Sequence, residues 1–320
     1  MTLVSVVIPC FNHARFLADA LDSVRAQTWP HVEAIVVDDG STDDPTSVVS
    51  RYPDVRYIRQ SNRGLSEARN VGWRASGGSV VIFLDADDVL APRAATAAVE
   101  QLGSYPEAML AFGRLEIMDA SGKRIPATLP IVTGHFYEEL LRRNYIRTPA
   151  MAAVRREVME LVGGFDPSCS PSADYDLYLR VARRYPLIAH PATVARYRQH
   201  AANMSRNPQL MLPATLQVLE RQRQFVEHDR ALRAAHRFGL RRCREFYGEQ
   251  LIERFRTALH ARQRGEALAC AATLVRLYPA GVLHHLVKKL KLATGYAGRA
   301  TPDADTTAPN SRASTVPGNR

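Results

Sequence analysis

The sequence has few cysteines and no long hydrophobic run. Four of its 320 residues are cysteines, and they are far apart, with no Cys-x-x-Cys pair. This spacing argues against a zinc site and against a secreted disulfide framework. No apolar stretch approaches the roughly 18 residues that a transmembrane helix needs, and no basic segment precedes the first apolar run. We therefore predict a cytoplasmic protein with reduced thiols.

Acidic side chains are scarce in one part of the chain. The composition, with 46% apolar and 23% charged residues, excludes disordered and collagen-like proteins. The formal net charge of +10 is uneven, because residues 1–195 hold 20 basic and 23 acidic side chains, whereas residues 196–299 hold 20 and 7. Charge alone is poor evidence for nucleic-acid binding, and we predict no nucleic-acid partner.

Short β-branched runs alternate with helical patterns over the first 90 residues. This alternation is typical of an α/β domain with a mostly parallel sheet. Helical periodicity then covers residues 208–292. The predicted strands are residues 3–9, 33–38, 55–59 and 79–84, with later strands near 188 and 194, and the predicted helices are 12–27, with Asn12 as N-cap, 65–75 and 173–184.

Three aspartates follow the apolar run at residues 79–84. Asp85, Asp87 and Asp88 would repel one another in a dry site, and a bound divalent cation is the usual relief. Oxygen ligands favour Mg²⁺ or Mn²⁺ over zinc, and Mg²⁺ is commonly shared with substrate phosphates. The cluster therefore indicates a metal site for a phosphate-bearing substrate, and the alternative is a solvated acidic turn.

A second acidic turn, Asp38 and Asp39, ends the strand predicted at residues 33–38. Ligands of open α/β sheets bind outside the carboxyl ends of the strands, so the two acidic turns point to one site. A carboxylate here could accept hydrogen bonds from a base or a ribose, although such a turn is more often a helix N-cap. Arg69, on the next predicted helix, could face a diphosphate.

Four segments together resemble family 2 glycosyltransferases with the GT-A fold. They are VSVVIPCFN at residues 4–12, VDDGSTD at 37–43, GLSEARNVG at 64–72 and FLDADD at 83–88. Their order, spacing and strand context agree over roughly residues 3–205. The resemblance implies a Rossmann-like, mostly parallel sheet with flanking helices, followed by an α-helical C-terminal extension. It also implies transfer of a sugar from a nucleotide diphosphate donor to a hydroxyl, with inversion at the anomeric carbon.

The resemblance implies roles for individual residues. The implied donor-binding residues are Pro9, Phe11 and Asn12 around the nucleoside, Asp39 on the base with Asp38 beside it, Arg69 near the diphosphate and Asp85 near the ribose or donor sugar. The implied ligands of Mg²⁺ or Mn²⁺ are Asp87, Asp88 and His200, and a turn beside the acceptor would consist of Gly163, Gly164, Phe165 and Asp166. The metal would neutralise the departing nucleotide diphosphate.

Asp174 matches the position of the family's catalytic base. Inversion by direct displacement needs a carboxylate opposite the leaving group, within hydrogen-bond reach of the incoming hydroxyl. The alternative is that Asp174 only caps the helix predicted at residues 173–184. Many relatives have glutamate just before this aspartate, where the chain has Ala173. The Gln-x-x-Arg-Trp signature of processive relatives is absent, because the only tryptophans are Trp29 and Trp73, which favours single-sugar transfer.

We expect the chain to be divided into three segments and to bind two substrates, a donor and an acceptor. We predict a catalytic domain at residues 1–206, a basic helical extension at 207–299 and a disordered tail at 300–320. The expected partners are a UDP-, GDP- or dTDP-sugar donor and a glycan or lipid-linked acceptor. The basic helices could pack on the catalytic domain or contact the inner face of a membrane peripherally.

Two rival functions remain open at the level of the sequence. One is a catalytically degenerate nucleotide-sugar-binding or membrane-associated scaffold, against which the intact Asp39, Asp87 and Asp174 speak. The other is a sugar nucleotidyltransferase, although no glycine-rich basic loop for a triphosphate follows the first strand.

Overall fold

The strands of the sheet run through the first two thirds of the chain. The computed structural model describes residues 1–127 and 130–294. The strands are β1 (Val4–Cys10), β2 (Val32–Asp38), β3 (Arg56–Arg59), β4 (Val80–Phe83), β5 (Val89–Leu90), β6 (Leu110–Asp119), β7 (Arg124–Ile125), β8 (Ala152–Arg155) and β9 (Leu187–Gln199). Within the described residues they form one sheet of nine strands in the order β3-β2-β1-β4-β8-β6-β9-β5, with β7 paired to β6.

Helices flank the sheet and then fill the C-terminal third. Over the described ranges they are α1 (Ala14–Arg25), α2 (Pro45–Val49), α3 (Leu65–Ala75), α4 (Ala94–Ser104), α5 (Phe136–Arg142), α6 (Arg156–Val162), α7 (Ala173–Ala182), α8 (Pro208–Arg221), α9 (Arg223–Val226), α10 (Arg230–His260), α11 (Arg264–Leu277) and α12 (Pro279–Thr294). The α/β architecture with a helical C-terminal region is thus as predicted.

Parallel pairing is concentrated at one side of the sheet. Strands β3, β2, β1 and β4 are parallel neighbours, and every residue of β1 and β4 is buried, as expected where helices cover both faces. Beyond β4 the pairing is mixed, since β8 is antiparallel to β4 and β6, whereas β6 and β9 are parallel. The carboxyl ends of β1, β2 and β4 therefore lie at one edge, where the two acidic turns follow.

The helix α3 lies close against β1 because of a glycine. A Cβ atom on Gly72 would lie 2.2 Å from Cγ1 of Val7, so any larger residue would push the helix away from the sheet. The helix predicted at residues 65–75 is confirmed by α3 with the same bounds. This close packing fixes where Arg69 stands relative to the ends of the strands.

Two local predictions were wrong. The N-cap of α1 is His13, not Asn12. Asn12 has a positive φ of 57°, and its Oδ1 accepts a hydrogen bond from the Thr42 amide at 2.8 Å, so it joins two turns. The strands predicted near residues 188 and 194 are a single strand, β9.

The helices α8, α10 and α11 pack within the same compact unit as the sheet, which spans residues 1–279. A Cβ atom on Gly239 would lie 1.9 Å from the Leu141 carbonyl oxygen, so α10 crosses α5 closely at this glycine. The described part of a second unit begins at Ala280 and contains most of α12. The division at residue 206 stays a prediction, and the tail predicted at 300–320 lies outside the described residues.

No single helix in the described ranges is long and apolar enough to cross a membrane. One bent pair, Arg264–Leu277 followed by Pro279–Lys288, meets the criteria of length and composition together.

Candidate active site

A cavity of about 930 Å³ opens at the carboxyl ends of β1, β2 and β4. Its walls come from the turns after these strands, from α3, from the start of α7 and from α10. The predicted site residues that line it are Pro9, Phe11, Asp39, Arg69, Asp85, Asp87 and Asp174. Folding therefore brings together residues that are up to 165 positions apart in the sequence, from Pro9 to Asp174.

Asp39 holds the loop that leads into α3. It is buried, its Oδ1 accepts hydrogen bonds from Gln60 Nε2 at 2.7 Å and from the Arg63 amide at 2.8 Å, and its Oδ2 accepts one from the Gly64 amide at 2.8 Å. The alternative that Asp39 caps the following helix is wrong, because Asp44 is the N-cap of α2. Asp39 is thus a rigidly held carboxylate in the cavity wall.

Asp38 lies outside the residues that line the cavity. Its Oδ1 accepts a hydrogen bond from the Ser41 amide at 2.8 Å, and its Oδ2 accepts one from the Tyr57 hydroxyl at 2.7 Å and lies 3.5 Å from Arg59 Nε. Although burial acts to raise the pKa of Asp38, these hydrogen bonds and the charge of Arg59 hold it below its ordinary value. We therefore assign Asp38 to the turn, in place of the donor contact suggested by the sequence.

The residues at the end of β1 also differ in whether they line the cavity. Pro9 and Phe11 line the cavity, and the Phe11 ring is 45% exposed at its mouth. Asn12, which was expected in the nucleoside pocket, is not among the lining residues, and its side chain holds Thr42. Asn12 therefore positions the loop, whereas Pro9 and Phe11 are open to a ligand.

Arg69 is a buried cation that faces the cavity. Its Nη2 donates a hydrogen bond to Asp85 Oδ1 at 2.6 Å, and its guanidinium carbon lies 5.3 Å from the centre of the Phe165 ring. Its Nε is buried and has no hydrogen-bond partner among the described residues. A fixed guanidinium with an unused donor can bind an anionic oxygen.

Asp174 lies in the first turn of α7 and lines the cavity. Burial raises the pKa of Asp174 to about 6, against the charge of Arg69 and the Tyr175 amide, which lower it, while the charge of Asp85 raises it further. Ser172 occupies the N-cap position without a side-chain cap bond, and the Asp174 carboxylate accepts hydrogen bonds from first-turn amides, so its roles as helix cap and as base both stay predictions. A carboxylate with this pKa is ionised near neutral pH and still has appreciable affinity for a proton.

A second cluster joins Asp87 to two histidines. One ligand atom each of His13, Asp87 and His200 lies within 4.8 Å of the other two. Oδ2 of Asp87 is 2.8 Å from Nε2 of His200, and Nδ1 of His200 is buried without a hydrogen-bond partner in the part of the chain that is described. Imidazole nitrogen and carboxylate oxygen are common ligands of divalent cations, so these three side chains fit a metal ion.

Both carboxylate oxygens of Asp88 accept hydrogen bonds from the protein. Its Oδ1 accepts a hydrogen bond from the Arg198 amide at 2.9 Å and its Oδ2 accepts one from the Thr148 hydroxyl at 2.9 Å. Burial, with the charges of Asp87 and Asp85, raises the pKa of Asp88 well above its ordinary value. It lies outside the residues that line the cavity, and its role as a metal ligand stays a prediction.

The turn at residues 163–166 lies behind the cavity and does not line it. Asn70 Nδ2 donates to the Phe165 carbonyl at 2.8 Å, and the Phe165 amide donates to Asn70 Oδ1 at 2.9 Å. Gly164 has a φ of 72°, and a Cβ atom there would lie 2.6 Å from Asn70 Oδ1. Asp166 is paired with Arg221 at 2.6 Å. Phe165 thus contacts α3 through Asn70 and Asp166 contacts α8 through Arg221, and the role of Gly163, Gly164, Phe165 and Asp166 beside the acceptor stays a prediction.

No pattern in the sequence predicts two sets of residues that line the cavity. His13 follows the first motif and reaches Asp87 only through the fold. The other set comes from α10, whose lining residues are Gly239, Arg242, Cys243, Phe246 and Tyr247. Burial raises the pKa of Tyr247 to about 12, and the charge of Asp174 contributes to this shift. The basic extension therefore forms part of the cavity wall near Asp174.

The sequence has relatives of known family. Residues 5–163 match the family model described as glycosyl transferase family 2. The chain is 36% identical over 177 residues to an uncharacterized glycosyltransferase of Nostoc sp., covering 51% of this chain and 54% of that protein. It is 28% identical over 190 residues to chondroitin synthase of Escherichia coli, covering 58% of this chain and 27% of that protein. The chain spans about half the length of the first relative and 35% of two Rickettsia relatives.

Solved structures resemble the fold over most of the chain. TarS 1–349 of S. aureus, crystallised with UDP, has a TM-score of 0.59 at 16% identity and covers 87% of this chain and 92% of its own. The mannosyltransferase PcManGT of Pyrobaculum calidifontis, in complex with GDP-Man and Mn²⁺, has a TM-score of 0.56 at 21% identity and covers 92% and 82%. The predicted GT-A type of fold is confirmed by this likeness.

Proposed function

Because the chain belongs to glycosyl transferase family 2 through residues 5–163, we propose that it transfers a sugar from a nucleotide-diphosphate-sugar to a hydroxyl acceptor with inversion. One observation carries this proposal: Asp174, with its pKa raised to about 6, lines the same cavity as the Arg69–Asp85 pair and Asp87. A base, a diphosphate-binding cation and a metal-binding carboxylate thus face one space.

The donor would lie along the carboxyl ends of β1, β2 and β4. Phe11 offers an apolar surface for a nucleoside, and Asp39 supplies a fixed hydrogen-bond acceptor for the base. Arg69 would place its positive charge beside the diphosphate, while Asp85 holds the guanidinium in place and faces the ribose or sugar. That TarS was solved with UDP and PcManGT with GDP-Man supports a nucleotide-sugar as the donor class.

Asp174 would act as the general base. As the acceptor oxygen attacks the anomeric carbon, a carboxylate oxygen of Asp174 takes the hydroxyl proton, and the bond from the anomeric carbon to the diphosphate oxygen breaks. Since attack and departure occur on opposite faces, the anomeric configuration inverts. Burial keeps Asp174 basic enough for this transfer, and Arg69 keeps it ionised at neutral pH.

Asp87, His200 and His13 are the residues that would hold a divalent cation. When bound, Mn²⁺ or Mg²⁺ would neutralise charge on the departing nucleotide diphosphate. Imidazole is an unusual ligand for Mg²⁺, so the two histidines favour Mn²⁺ of the two. The presence of Mn²⁺ in the PcManGT structure supports the same choice.

The acceptor would be a growing glycan or a lipid-linked saccharide, and α12 would bring the enzyme to an anionic bilayer. Leu283, Leu286 and Val287 lie on one side of α12 and are 63%, 54% and 40% exposed, and Lys288 follows them. Exposed apolar side chains beside a cation suit the interface of an anionic membrane. Flotation with phosphatidylglycerol vesicles should be lost in Leu283→Glu/Leu286→Glu and kept in Leu268→Glu, a leucine of α11 that is 73% exposed. Equal flotation of the two variants, or none for the wild type, would remove the membrane contact.

The experiment for the proposed function is a donor panel on the full chain. UDP-, GDP- and dTDP-sugars are incubated with Mn²⁺, Mg²⁺ or chelator, and released nucleoside diphosphate and donor-induced thermal shift are measured. We expect one donor to give metal-dependent release. Metal-dependent binding without turnover would favour the scaffold alternative, and pyrophosphate formation from a sugar phosphate and a nucleoside triphosphate would favour the nucleotidyltransferase.

A further inference from the structure

We propose that the acceptor carries an anionic oxygen group, a phosphate or a carboxylate, and that arginines of the cavity bind it beside Asp174. This inference rests on the proposed function and deepens it by naming the chemistry of the acceptor. It comes from the distribution of charge around the cavity, whose two sides carry opposite signs.

Four exposed arginines line this cavity without a carboxylate partner among the described residues. They are Arg114, Arg143, Arg147 and Arg242. Arg142, also in the lining, is different, because it pairs with Glu138 at 2.8 Å and Glu139 at 3.4 Å. Arg69 and Arg180 are likewise paired, each with an aspartate. Unpaired arginines that gather around one cavity repel one another, and a bound anion relieves this repulsion.

Two of these arginines lie on the chain segments that cross at Gly239 and Leu141. Gly239 allows α10 to approach the Leu141 carbonyl, and Arg242 follows one turn later on α10, while Arg143 follows Leu141 directly after α5. The Tyr175 hydroxyl donates a hydrogen bond to the Leu140 carbonyl. Because Tyr175 is the neighbour of Asp174, the end of α5 is tied both to α10 and to the helix that carries the proposed base.

The remaining two arginines, Arg114 and Arg147, belong to other parts of the cavity wall. Arg114 lies where the pairing of β6 with β9 is irregular, and such bulges redirect a side chain out of the regular alternation. Arg147 lies in the segment between α5 and β8. The arginines therefore come from β6, from the segment after α5 and from α10, whereas the cavity carboxylates Asp39 and Asp85 belong to the ends of the parallel strands.

Because the arginines and the strand-end carboxylates belong to different parts of the cavity wall, we assign the arginines to the acceptor. The donor diphosphate would be neutralised by the cation at Asp87 and by Arg69, at the strand ends. An uncharged acceptor hydroxyl gives Arg143 and Arg242 no partner. A phosphate or carboxylate on the acceptor would match the planar, two-pronged donor geometry of guanidinium groups and fix the neighbouring hydroxyl near Asp174.

The test uses three acceptors that differ only at carbon 6: p-nitrophenyl β-glucoside, its 6-phosphate and p-nitrophenyl β-glucuronide. Transfer is measured with the wild type, with Arg143→Glu/Arg242→Glu and with Arg237→Glu. Arg237 is an exposed, unpaired arginine of α10 that does not line the cavity, so its variant is the control for charge on this helix. We expect the wild type to prefer an anionic acceptor roughly tenfold or more, and the double variant to lose this preference.

A preference for the 6-phosphate over the glucuronide identifies a phosphate-bearing acceptor, and the reverse identifies a carboxylate-bearing one. Equal use of charged and neutral acceptors, or an unchanged preference in the double variant, overturns the inference while leaving the proposed function standing. If none of the three accepts sugar, the inference is tested by calorimetry. Binding of glucose 6-phosphate is then measured with the donor site filled by nucleoside diphosphate. Binding at least roughly tenfold weaker in the double variant than in Arg237→Glu supports the inference, and absent or equal binding overturns it.

Discussion

Nη2 of Arg69 lies 2.6 Å from Oδ1 of Asp85, and both charges act on Asp174. Arg69 lowers the pKa of Asp174 and Asp85 raises it, so the ion pair limits how far burial shifts the base from its ordinary value. The same pair borders the expected diphosphate site. A change in either residue should therefore alter both the affinity for the donor and the pKa of Asp174.

The first prediction concerns pH. Since the pKa of Asp174 is about 6, kcat/KM should fall by about tenfold per pH unit at pH values below it. Tyr178 and Tyr247 also face Asp174, but burial raises the pKa of each, so they stay neutral in this range. In Asp85→Asn the acidic limb should move to lower pH, because a negative neighbour is removed. Asp166→Asn, outside the cavity, should leave the limb in place. A limb that moves upward in Asp85→Asn would contradict this role of the charges.

The second prediction concerns stability. The folded-state pKa of Asp174 is raised above the unfolded value of about 3.9, so stability should fall as pH rises from about 4 to about 6. Asp174→Asn removes the cost of burying this charge, and it should be more stable than the wild type at pH 8 by roughly 3 kcal/mol. Thermal unfolding at pH 4 and pH 8 measures the difference, which should vanish at the lower pH. A variant less stable than the wild type at pH 8 would refute the raised pKa.

The third prediction concerns the metal. His13→Ala should weaken Mn²⁺ binding roughly tenfold or more, because it removes one of three grouped ligands. Asp87→Asn should abolish metal-dependent donor binding. His31→Ala is the matched control, since His31 makes an edge-to-face contact with Trp29 and is not one of the grouped ligands. Titration of Mn²⁺ by electron paramagnetic resonance gives the affinities, and equal affinities for His13→Ala and His31→Ala would exclude His13 from the site.

The fourth prediction separates two adjacent carboxylates. Asp38 and Asp39 are both buried and each accepts backbone hydrogen bonds, so Asp38→Ala and Asp39→Ala should each lower the free energy of unfolding by about 1–3 kcal/mol. Only Asp39 lines the cavity, and only its variant should also raise the donor KM several-fold at temperatures where both variants are folded. A donor KM that rises equally in both variants would indicate that Asp38 also contributes to donor binding.

Local patterns were sufficient to predict β1 to β4, α3 and the acidic turns. The β-branched runs predicted β1 to β4, and the apolar run before Asp85 placed that cluster at a strand end. These features depend on neighbours in the sequence. The same patterns could not tell which of two adjacent aspartates faces the cavity, because this follows from contacts with Tyr57 and Arg59, which are brought close by the pairing of β2 with β3.

Long-range packing determines the rest of the site. His13 meets Asp87 and His200 only when three distant segments converge, and no spacing in the sequence marks it. Likewise, Arg242 belongs to a helix whose charge suggested only a solvated or membrane-bound face. Its place in the cavity depends on Gly239 crossing α5, a contact that a helical pattern alone does not specify.

The central claim is that Asp174 is the base for sugar transfer, and the direct measurement is transfer by Asp174→Asn. With the donor found in the panel, acceptor-dependent release of nucleoside diphosphate and donor-induced thermal shift are compared among the wild type, Asp174→Asn and Asp166→Asn. We expect Asp174→Asn to keep the thermal shift and to lose transfer by about 10²–10⁴-fold, while Asp166→Asn keeps both. Transfer by Asp174→Asn at the rate of the wild type would contradict the proposed mechanism.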